Sequence, residues 1–229
     1  MTLALVDADI VAYRTAATCE GEEFWIAKSR CNEMMERILQ AVNAETYQAW
    51  LSGDPAENFR YKLYPEYKAN RSAPRPRHLE PLRELLIKEW GARLFCGEAD
   101  DALGINASDD SIICSIDKDL LQIPGRHWNF VKDLYTVVSK QEGLVRFYRH
   151  LLIGDASDNV RGVKGIGKVK AERLITEDLT EKGMFDVVRW QFNDDERFKL
   201  TGDLIYVLRN EGERWSEMKR DWFNEPPER

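Results

Sequence analysis

The sequence predicts an α/β fold in which a mostly parallel central sheet is flanked by helices. Three short apolar runs, at 3–6, 46–51 and 111–115, have the length and composition of buried strands. Between them lie segments with apolar residues at helical spacing, such as residues 30–42 and the stretch that begins at Leu79. Strands that alternate with helices in this way form parallel sheets with helices on both faces.

Each predicted strand is followed by acidic side chains. The run "LALV" ends at Asp7, "TYQAWL" ends near Asp54, and "SIICS" leads into Asp117 and Asp119. Sheets of this kind place their functional sites just beyond the carboxyl ends of the strands. We therefore expect these carboxylates at one edge of the sheet.

The segments between and after the strands divide the chain into two regions. Residues 60–77 carry six basic side chains and no apolar periodicity, which predicts a loop. A helix starts at Leu79, and "EADDALGINA" at 98–107 has the early acids of a helix N-terminus. After this core the pattern becomes helical and poor in strands. We expect a core domain at 1–150 and a helical region at 151–229.

The composition favours a protein of the cytosol. Hydrophobic residues make up 43% of the chain and charged residues 32%. No apolar run approaches the length of about 18 residues that a membrane span needs. The N-terminus lacks the basic start and the small-residue cleavage site of a signal peptide. We expect no membrane association.

The cysteines and histidines indicate structural roles. The four cysteines show neither CxxC spacing nor a neighbouring histidine at zinc-ligand spacing, so we expect reduced, mostly buried thiols. They are Cys19, Cys31, Cys96 and Cys114. The three histidines are equally isolated, and an ordinary structural role is expected for each. They are His78, His127 and His150.

Nine carboxylates form a candidate metal site. They are Asp7, Asp54, Glu98, Asp100, Asp101, Asp117, Asp119, Asp155 and Asp158. So many like charges converge only if their repulsion is offset, and hard divalent cations with oxygen ligands offset it. Without these charges the chain would carry a net charge of +2 rather than −7. A pair of such cations activates water and stabilises the leaving oxygen of a phosphodiester. Any one of these acids taken alone also fits a helix cap or a solvated side chain.

A glycine-rich stretch, "GVKGIGKVKAERL", follows the last two acids. It predicts a tight turn and then a helix that starts near Lys168. Glycines let backbone N–H groups approach a phosphate at a helix N-terminus, and lysines add positive charge. This element is similar to a helix-hairpin-helix, which grips a duplex backbone without reading bases. Its candidate DNA contacts are Lys164, Gly165, Gly167, Lys168 and Lys170.

Five motifs, in order, resemble those of the flap endonuclease and 5′-3′ exonuclease family. They span about residues 1–175 and read "LVDADIVAYR" (5–14), "YKANR" (67–71), "GEADD" (97–101), "SIDKDLLQ" (115–122) and "GDASDNVRGVKGIG" (154–167). The resemblance is strongest to stand-alone bacteriophage exonucleases and to the 5′ nuclease domain of bacterial DNA polymerase I. It implies a PIN-like sheet, a helical arch at about 60–93 and a helix-hairpin-helix at 154–175.

The same resemblance implies an activity and its partners. The expected protein is a divalent-metal-dependent 5′ nuclease that hydrolyses phosphodiester bonds from 5′ ends or flaps. Its substrate would be double-stranded or flapped DNA, or an RNA:DNA hybrid. It would act as a monomer in phage or bacterial DNA replication, repair or primer removal.

The resemblance also assigns roles residue by residue. Two or more Mg²⁺ or Mn²⁺ ions are implied, the first held by Asp7, Glu98, Asp100 and Asp101. The second would be held by Asp117, Asp119, Asp155 and Asp158. Lys68 and Arg71 would contact the scissile phosphate as catalytic residues, together with Asp7 and Asp101, while Tyr67 would stack on a nucleobase. Arg14 would be a further phosphate contact, and backbone carbonyls near Val163 and Ile166 would bind K⁺.

Three positions depart from the family pattern. Asp54 fits the family's second aspartate only if one residue of spacing is conceded. Arg161 stands where many relatives have proline, and Ala8 stands where glycine is usual. Residues 176–229 match the family only loosely.

Two other interpretations compete with a nuclease. The stretch "DADIV" fits the DxDx[TV] signature of haloacid-dehalogenase-type phosphatases, with Asp7 as nucleophile, Asp9 as acid and Lys118 as the lysine. That interpretation leaves "YKANR", "GEADD" and the glycine-rich turn unexplained. A non-catalytic DNA-binding module of the same fold is the second alternative. Missing metal-site acids would favour it.

Overall fold

A six-stranded sheet forms the centre of the protein. The computed structural model describes residues 1–218. The strands of the sheet are β1 Leu3–Asp7, β2 Thr46–Ser52, β3 Arg93–Phe95, β4 Ser111–Cys114, β5 Gly125–Asn129 and β6 Leu134–Val138. They lie in the order β3-β2-β1-β4-β5-β6, so the order changes direction between β1 and β4. A doubly wound sheet places its site at such a point.

Helices and a short strand pair surround the sheet. The helices are α1 Ala8–Thr18, α2 Phe24–Ala41, α3 Phe59–Leu63, α4 Leu79–Trp90, α5 Ala99–Ile105, α6 Lys140–Ile153, α7 Lys168–Leu174, α8 Glu181–Phe192 and α9 Asp195–Ile205. The strand pair is β7 Gly154–Asp155 with β8 Val160–Arg161. Turns of 3₁₀ helix cover Asp119–Gln122 and Trp215–Glu217.

The register brings the carboxyl ends of the central strands together. The pairings of β1 with β2 and β4, of β2 with β3 and of β4 with β5 are all parallel. Only β6 is antiparallel, as the second strand of a hairpin with β5. Asp7 pairs with Trp50 at the end of β1, and Val6 pairs with Cys114. The predicted α/β fold and its three strands are confirmed, whereas β3, β5 and β6 were not predicted.

Alternate side chains of β1 enter two different hydrophobic clusters. Ala4 and Val6 pack with α1, α2 and α4 on one face of the sheet. Leu5 points to the other face, where it packs with Leu103 and Val207. Because both faces of this strand are buried, its sequence is a continuous apolar run rather than an alternating one.

A separate cluster holds the helices that follow residue 140. It is centred on Trp215, whose ring contacts Phe147, Phe185 and Phe198 with centroids 5.1–6.0 Å apart. Gly202 lies directly against this ring, since a Cβ there would come within 2.0 Å of it. The predicted helical character after residue 150 is found, apart from β7 and β8. The end of the predicted second region, residues 219–229, lies outside the described residues.

The predicted loop at 60–77 is only partly a loop. Asn58 accepts a hydrogen bond from the Arg60 amide through its side chain, which caps the short helix α3. The chain then runs through turns to α4, which ends at Gly91 in the left-handed conformation. Within residues 1–218, no helix is both long and apolar enough to cross a bilayer.

Candidate active site

An acidic pocket lies beyond the carboxyl ends of β1 and β4. Its acidic lining is Glu98, Asp100, Asp117, Asp119, Asp155 and Asp158. Its basic lining includes Arg60, Lys68, Arg71 and His150. We call this group of residues the acidic pocket. The structure thus brings together six of the nine candidate carboxylates, which come from segments far apart in the chain.

Asp7 adjoins the acidic pocket and is the last residue of β1. One carboxylate oxygen accepts the Ile10 amide at 3.1 Å and so caps α1, while the other accepts the Ser115 hydroxyl at 2.6 Å. Burial raises the pKa of Asp7 to about 7; the Ser115 hydrogen bond opposes this shift, and the charges of Asp9 and then Asp117 add to it. The two hydrogen bonds therefore fix the orientation of the Asp7 side chain but do not fully offset its negative charge.

Asp100 and Asp117 form the uncompensated half of the pocket with Asp7. Burial, followed by the charges of Asp7 and Asp117, raises the pKa of Asp100 well above its ordinary value. Asp117 is held by its own turn, because its Oδ1 accepts the Asp119 amide at 2.8 Å. Buried and half-buried carboxylates that repel each other and offer only oxygen ligands fit a hard divalent cation.

Glu98 and Asp158 form the compensated half. Lys68 Nζ forms an ion pair with Glu98 and lies 3.5 Å from Asp158 Oδ2, and Arg71 pairs with Asp158 Oδ1. Burial raises the pKa of Glu98, but the opposite charges of Lys68 and Arg60 outweigh it and leave this pKa below its ordinary value. The predicted phosphate-binding cations therefore contact the predicted metal ligands.

Tyr67 is buried at the bottom of the same half. Its hydroxyl donates to Asp158 Oδ2 at 2.8 Å and lies 3.2 Å from Glu98 Oε2. The residue is 2% exposed, and its ring packs edge-on against Tyr61. In this arrangement the ring presents no face for a nucleobase. Burial, together with the charge of Glu98, raises the pKa of the Tyr67 hydroxyl.

The backbone of Lys68 is held in an unusual conformation. Its φ is +57°, in the left-handed region that non-glycine residues seldom adopt. The Lys68 amide donates to the Asp158 carbonyl at 2.9 Å, which ties the "YKANR" segment to the "GDASDN" segment. Such local strain persists only where the surrounding contacts determine the conformation.

His150 lies between Asp119 and Asp155, which the sequence did not indicate. Its Nδ1 is 3.8 Å from Asp119 Oδ1, and its Nε2 is 3.5 Å from Asp155 Oδ2. Burial lowers the pKa of His150, but the two carboxylates outweigh it and raise this pKa above its ordinary value. Burial raises the pKa of Asp119 to about 6 despite the histidine. The other two histidines are structural, because His78 and His127 each bond a backbone carbonyl.

Asp101 is next to the pocket but faces away from it. Both carboxylate oxygens bind the Arg60 guanidinium, and Oδ1 also accepts the Leu208 amide at 3.0 Å. In the sequence, Arg60 is only one of six basic residues in the segment 60–77. No local pattern in the sequence indicates that Arg60 is buried, because its hydrogen-bond partners lie 41 or more positions away.

Asp54 and Arg14 also lie outside the acidic pocket. Asp54 is exposed, and its Oδ1 accepts the Ala56 amide in the turn that follows β2. Arg14 lies in the middle of α1, partly buried. Asp9 is engaged elsewhere, because it pairs with Arg83 and accepts the Ser52 amide at 2.7 Å. Asp9, the acid of the phosphatase signature, is thus engaged in an ion pair and a backbone hydrogen bond.

The glycine-rich stretch begins where the loop from Gly154 to Gly162 closes on itself beside the acidic pocket. Gly154 and Gly162 are so close that a Cβ on Gly154 would meet the Gly162 amide at 2.2 Å. Gly165 has a φ of +79°, in a turn where the Ile166 amide donates to the Val163 carbonyl at 3.1 Å. The lysines of this stretch are all exposed, namely Lys164, Lys168 and Lys170.

The four cysteines are free thiols, as expected. Cys19, Cys31 and Cys114 are buried, whereas Cys96 is exposed. Burial raises the pKa of Cys31 and of Cys114 to about 12. These buried thiols are therefore protonated and chemically inert at neutral pH.

Known proteins that resemble this chain in sequence and in fold include nucleases and DNA polymerases I. The chain is 33% identical over 220 residues to a 5′-3′ exonuclease of Bacillus subtilis, with 76% of this chain and 70% of that protein covered. It is 28% identical over 209 residues to the flap endonuclease Xni of Pseudoalteromonas translucida, with 79% and 77% covered. It matches DNA polymerase I of Rhizobium leguminosarum at 33% identity, but spans only 17% of that protein.

The fold and the family model agree with these relatives. A structure of T5 5′-exonuclease with bound zinc superimposes with a TM-score of 0.64 at 18% identity, over 90% of this chain and 89% of that one. A family model described as 5′-3′ exonuclease, N-terminal resolvase-like domain, matches residues 2–149. The chain therefore belongs to the family of 5′-3′ exonucleases defined by this N-terminal resolvase-like domain.

Proposed function

We propose that this protein is a divalent-metal-dependent 5′ nuclease that hydrolyses phosphodiester bonds of DNA at 5′ ends or flaps. The observation that carries the proposal is the convergence of six carboxylates with Lys68 and Arg71 in one pocket at the switch point of the sheet. Its relatives named as exonucleases and flap endonucleases support the same activity. The phosphatase alternative is not favoured, since Asp9 is held by Arg83 and Ser52.

The residues of the acidic pocket fit Mg²⁺ or Mn²⁺. The ligands that we propose are Asp7, Glu98, Asp100, Asp117, Asp119, Asp155 and Asp158. When bound, such cations supply an activated water and offset negative charge on the leaving oxygen. We propose a structural role for Asp101, whose oxygens are all engaged, and a turn-stabilising role for Asp54.

Lys68 and Arg71 are proposed to bind the scissile phosphate. Both line the pocket, Lys68 with its side chain 14% exposed and Arg71 with its side chain 57% exposed. Their charges now neutralise Glu98 and Asp158. Cation binding would take over that role and release both side chains for the substrate. Tyr67 would reach a nucleobase only if its hydroxyl left Asp158.

The grip on duplex DNA is proposed to come from the glycine-rich stretch. Exposed Lys164, Lys168 and Lys170 offer charge for the phosphate backbone without a means of reading bases. Carbonyls near Val163 and Ile166 are proposed to bind K⁺. In line with this role, a related T5 flap endonuclease has been crystallised as a complex with DNA and metal ions.

The proposal also includes the boundaries of the two regions, the oligomeric state and the cellular role. The core would comprise residues 1–150 with an arch at about 60–93, and the DNA-binding region would comprise 151–229 with a helix-hairpin-helix at 154–175. We propose a cytoplasmic monomer that also accepts RNA:DNA hybrids and acts in replication, repair or primer removal.

A panel of 5′-labelled substrates tests the activity. Blunt duplex, nicked duplex, 5′ flap and RNA:DNA hybrid would each be incubated with Mg²⁺ and with a chelator. We expect Mg²⁺-dependent release of products with 5′-phosphates and no cleavage by an Asp100→Asn variant. Absence of cleavage on every substrate, with retained duplex binding, would favour the non-catalytic DNA-binding module.

A further inference from the structure

His150 places a ring nitrogen among the carboxylates of one half of the acidic pocket. Asp119, His150 and Asp155 each present a ligand atom, and these atoms lie within 4.8 Å of one another. They come from three different elements: the 3₁₀ turn after β4, the last turn of α6, and β7. Among the described residues, this is the group of three side chains whose spacing suits a single cation.

Each member of this group is held in place by contacts of its own. Asp155 Oδ1 accepts the amide and the hydroxyl of Ser157 and the Asp158 amide, so that Oδ2 is left facing His150. The Asp119 amide bonds Asp117, which fixes the start of its turn. The His150 side chain is 19% exposed and sits on a helix whose neighbouring turns are packed in the core.

The distances suit a shared cation. Two ligands at right angles on one cation, each about 2.1 Å from it, are about 3 Å apart. The His150 nitrogens are 3.5 Å and 3.8 Å from their nearest carboxylate oxygens, so each pair would close by less than about 1 Å to share a cation. One ring nitrogen and one oxygen of each carboxylate lie within 4.8 Å of one another, so a cation among them would meet nitrogen on one side and oxygen on the other.

The two halves of the pocket therefore differ in chemistry. Asp7, Asp100 and Asp117 offer oxygen alone, which suits Mg²⁺. An imidazole nitrogen suits Zn²⁺ and Co²⁺ better, because these cations bind nitrogen ligands more strongly than Mg²⁺ does. We propose that His150 is a cation ligand with Asp119 and Asp155 and biases this half of the pocket toward Co²⁺ and Zn²⁺ over Mg²⁺. The inference rests on the proposed function only in taking the pocket to bind divalent cations.

Pulsed electron paramagnetic resonance with bound Mn²⁺ gives a direct test. We expect a nitrogen coupling of the imidazole type in the unaltered protein, its loss in His150→Gln and its retention in the control His78→Gln. Calorimetry would then compare Co²⁺ with Mg²⁺. We expect the Co²⁺-to-Mg²⁺ affinity ratio to fall at least about tenfold in His150→Gln, because even groups that only hydrogen-bond to a metal's ligands alter its affinity roughly 10- to 100-fold.

Other outcomes would overturn the inference. Bound Mn²⁺ without nitrogen coupling, a coupling that survives in His150→Gln, or an unchanged affinity ratio would each exclude His150 as a ligand. His150→Asp provides a second variant with an all-oxygen set, and it should raise the relative affinity for Mg²⁺. Cleavage in Mg²⁺ without nitrogen coupling would refute this inference alone, whereas nitrogen coupling without any cleavage would refute the proposed function alone.

Discussion

Arg60 and Asp101 form a buried ion pair with two hydrogen bonds, Nη1 to Oδ2 at 2.5 Å and Nη2 to Oδ1 at 2.9 Å. Their side chains are 3% and 1% exposed. The guanidinium also donates to the carbonyls of Leu204 and Tyr206, at 3.0 Å and 2.7 Å. A single charge pair thus connects α3, α5 and the C-terminal end of α9, with its polar atoms satisfied.

Breaking this pair should destabilise the protein strongly. We expect Arg60→Met to lower the free energy of unfolding by about 3–5 kcal/mol, since it leaves the Asp101 carboxylate buried without its counter-charge. The double variant Arg60→Met with Asp101→Leu should recover most of that loss. Urea unfolding of the single and double variants measures both effects. A single variant as stable as the unaltered protein would contradict the expectation.

Asp7 should make the metal-free protein less stable as the pH rises. Its pKa of about 7 exceeds that of an unfolded aspartate, so the native state binds more protons between about pH 4 and pH 7 and loses stability as Asp7 ionises. Asp7→Asn keeps the helix cap, because asparagine caps as well as aspartate.

The difference in unfolding free energy between the unaltered protein and Asp7→Asn reports on Asp7, because both proteins share all other titrating groups. With a chelator present, we expect Asp7→Asn to be more stable by about 4 kcal/mol near pH 8 and equally stable near pH 4, since a shift of about three pKa units corresponds to about 1.4 kcal/mol for each unit. Urea unfolding across this pH range is the measurement. A difference that does not change with pH would count against the raised pKa.

Lys68→Ala should slow the chemical step more than it weakens binding. A cation aimed at charge that develops in the transition state contributes about 10²- to 10³-fold to the rate. We expect a loss of that size in the single-turnover rate, with little change in duplex affinity. Lys62→Ala is the matched control, because Lys62 is an exposed lysine on α3. An unchanged single-turnover rate in Lys68→Ala would refute the assigned role.

Asp9→Asn discriminates the nuclease from the phosphatase. It removes the charge that pairs with Arg83, which should lower stability by about 1–3 kcal/mol and leave cleavage intact in folded protein. Asp158→Asn should abolish cleavage, because Asp158 lines the acidic pocket. Thermal unfolding and nuclease assays of both variants provide the comparison. The opposite pattern, with an inactive Asp9→Asn and an active Asp158→Asn, would restore the phosphatase interpretation.

The exposed lysines of the glycine-rich stretch should set the salt dependence of DNA binding. We expect Lys164→Ala and Lys168→Ala each to weaken duplex binding and to reduce the slope of log affinity against log salt by about 1. Lys132→Ala, an exposed lysine in the β5–β6 hairpin, is the control. Fluorescence anisotropy at several salt concentrations measures the slope. A slope unchanged from that of the control would mean that these lysines contact no phosphate.

The strands that could be predicted are those whose own residues form a recognisable pattern in the sequence. The continuous apolar runs of β1 and β4 identify buried parallel strands, and the register then brings Asp7 and Asp117 to one edge. The edge strand β6 escaped prediction because its side chains are mostly exposed, and β3 because it has only three residues.

The unpredicted part of the site depends on contacts between distant segments. His150 reaches Asp119 only because α6 packs beside the 3₁₀ turn that follows β4. Arg60 is buried by carbonyls more than 140 positions away. Neither contact leaves a spacing pattern in the sequence, whereas Lys68 and Asp158 stand in motifs that the resemblance could identify.

Gln122 shows where the folding unit ends. Its side chain donates to the Ile205 carbonyl at 3.2 Å and accepts the Val207 amide at 3.0 Å, as a neighbouring strand would. The family model ends at residue 149, so a gene fragment cut there would strip these partners from Gln122 and from Arg60. That boundary marks the end of the matched domain model and not of the folding unit, and anyone transplanting this nuclease core into another protein would need to carry the chain through Leu208.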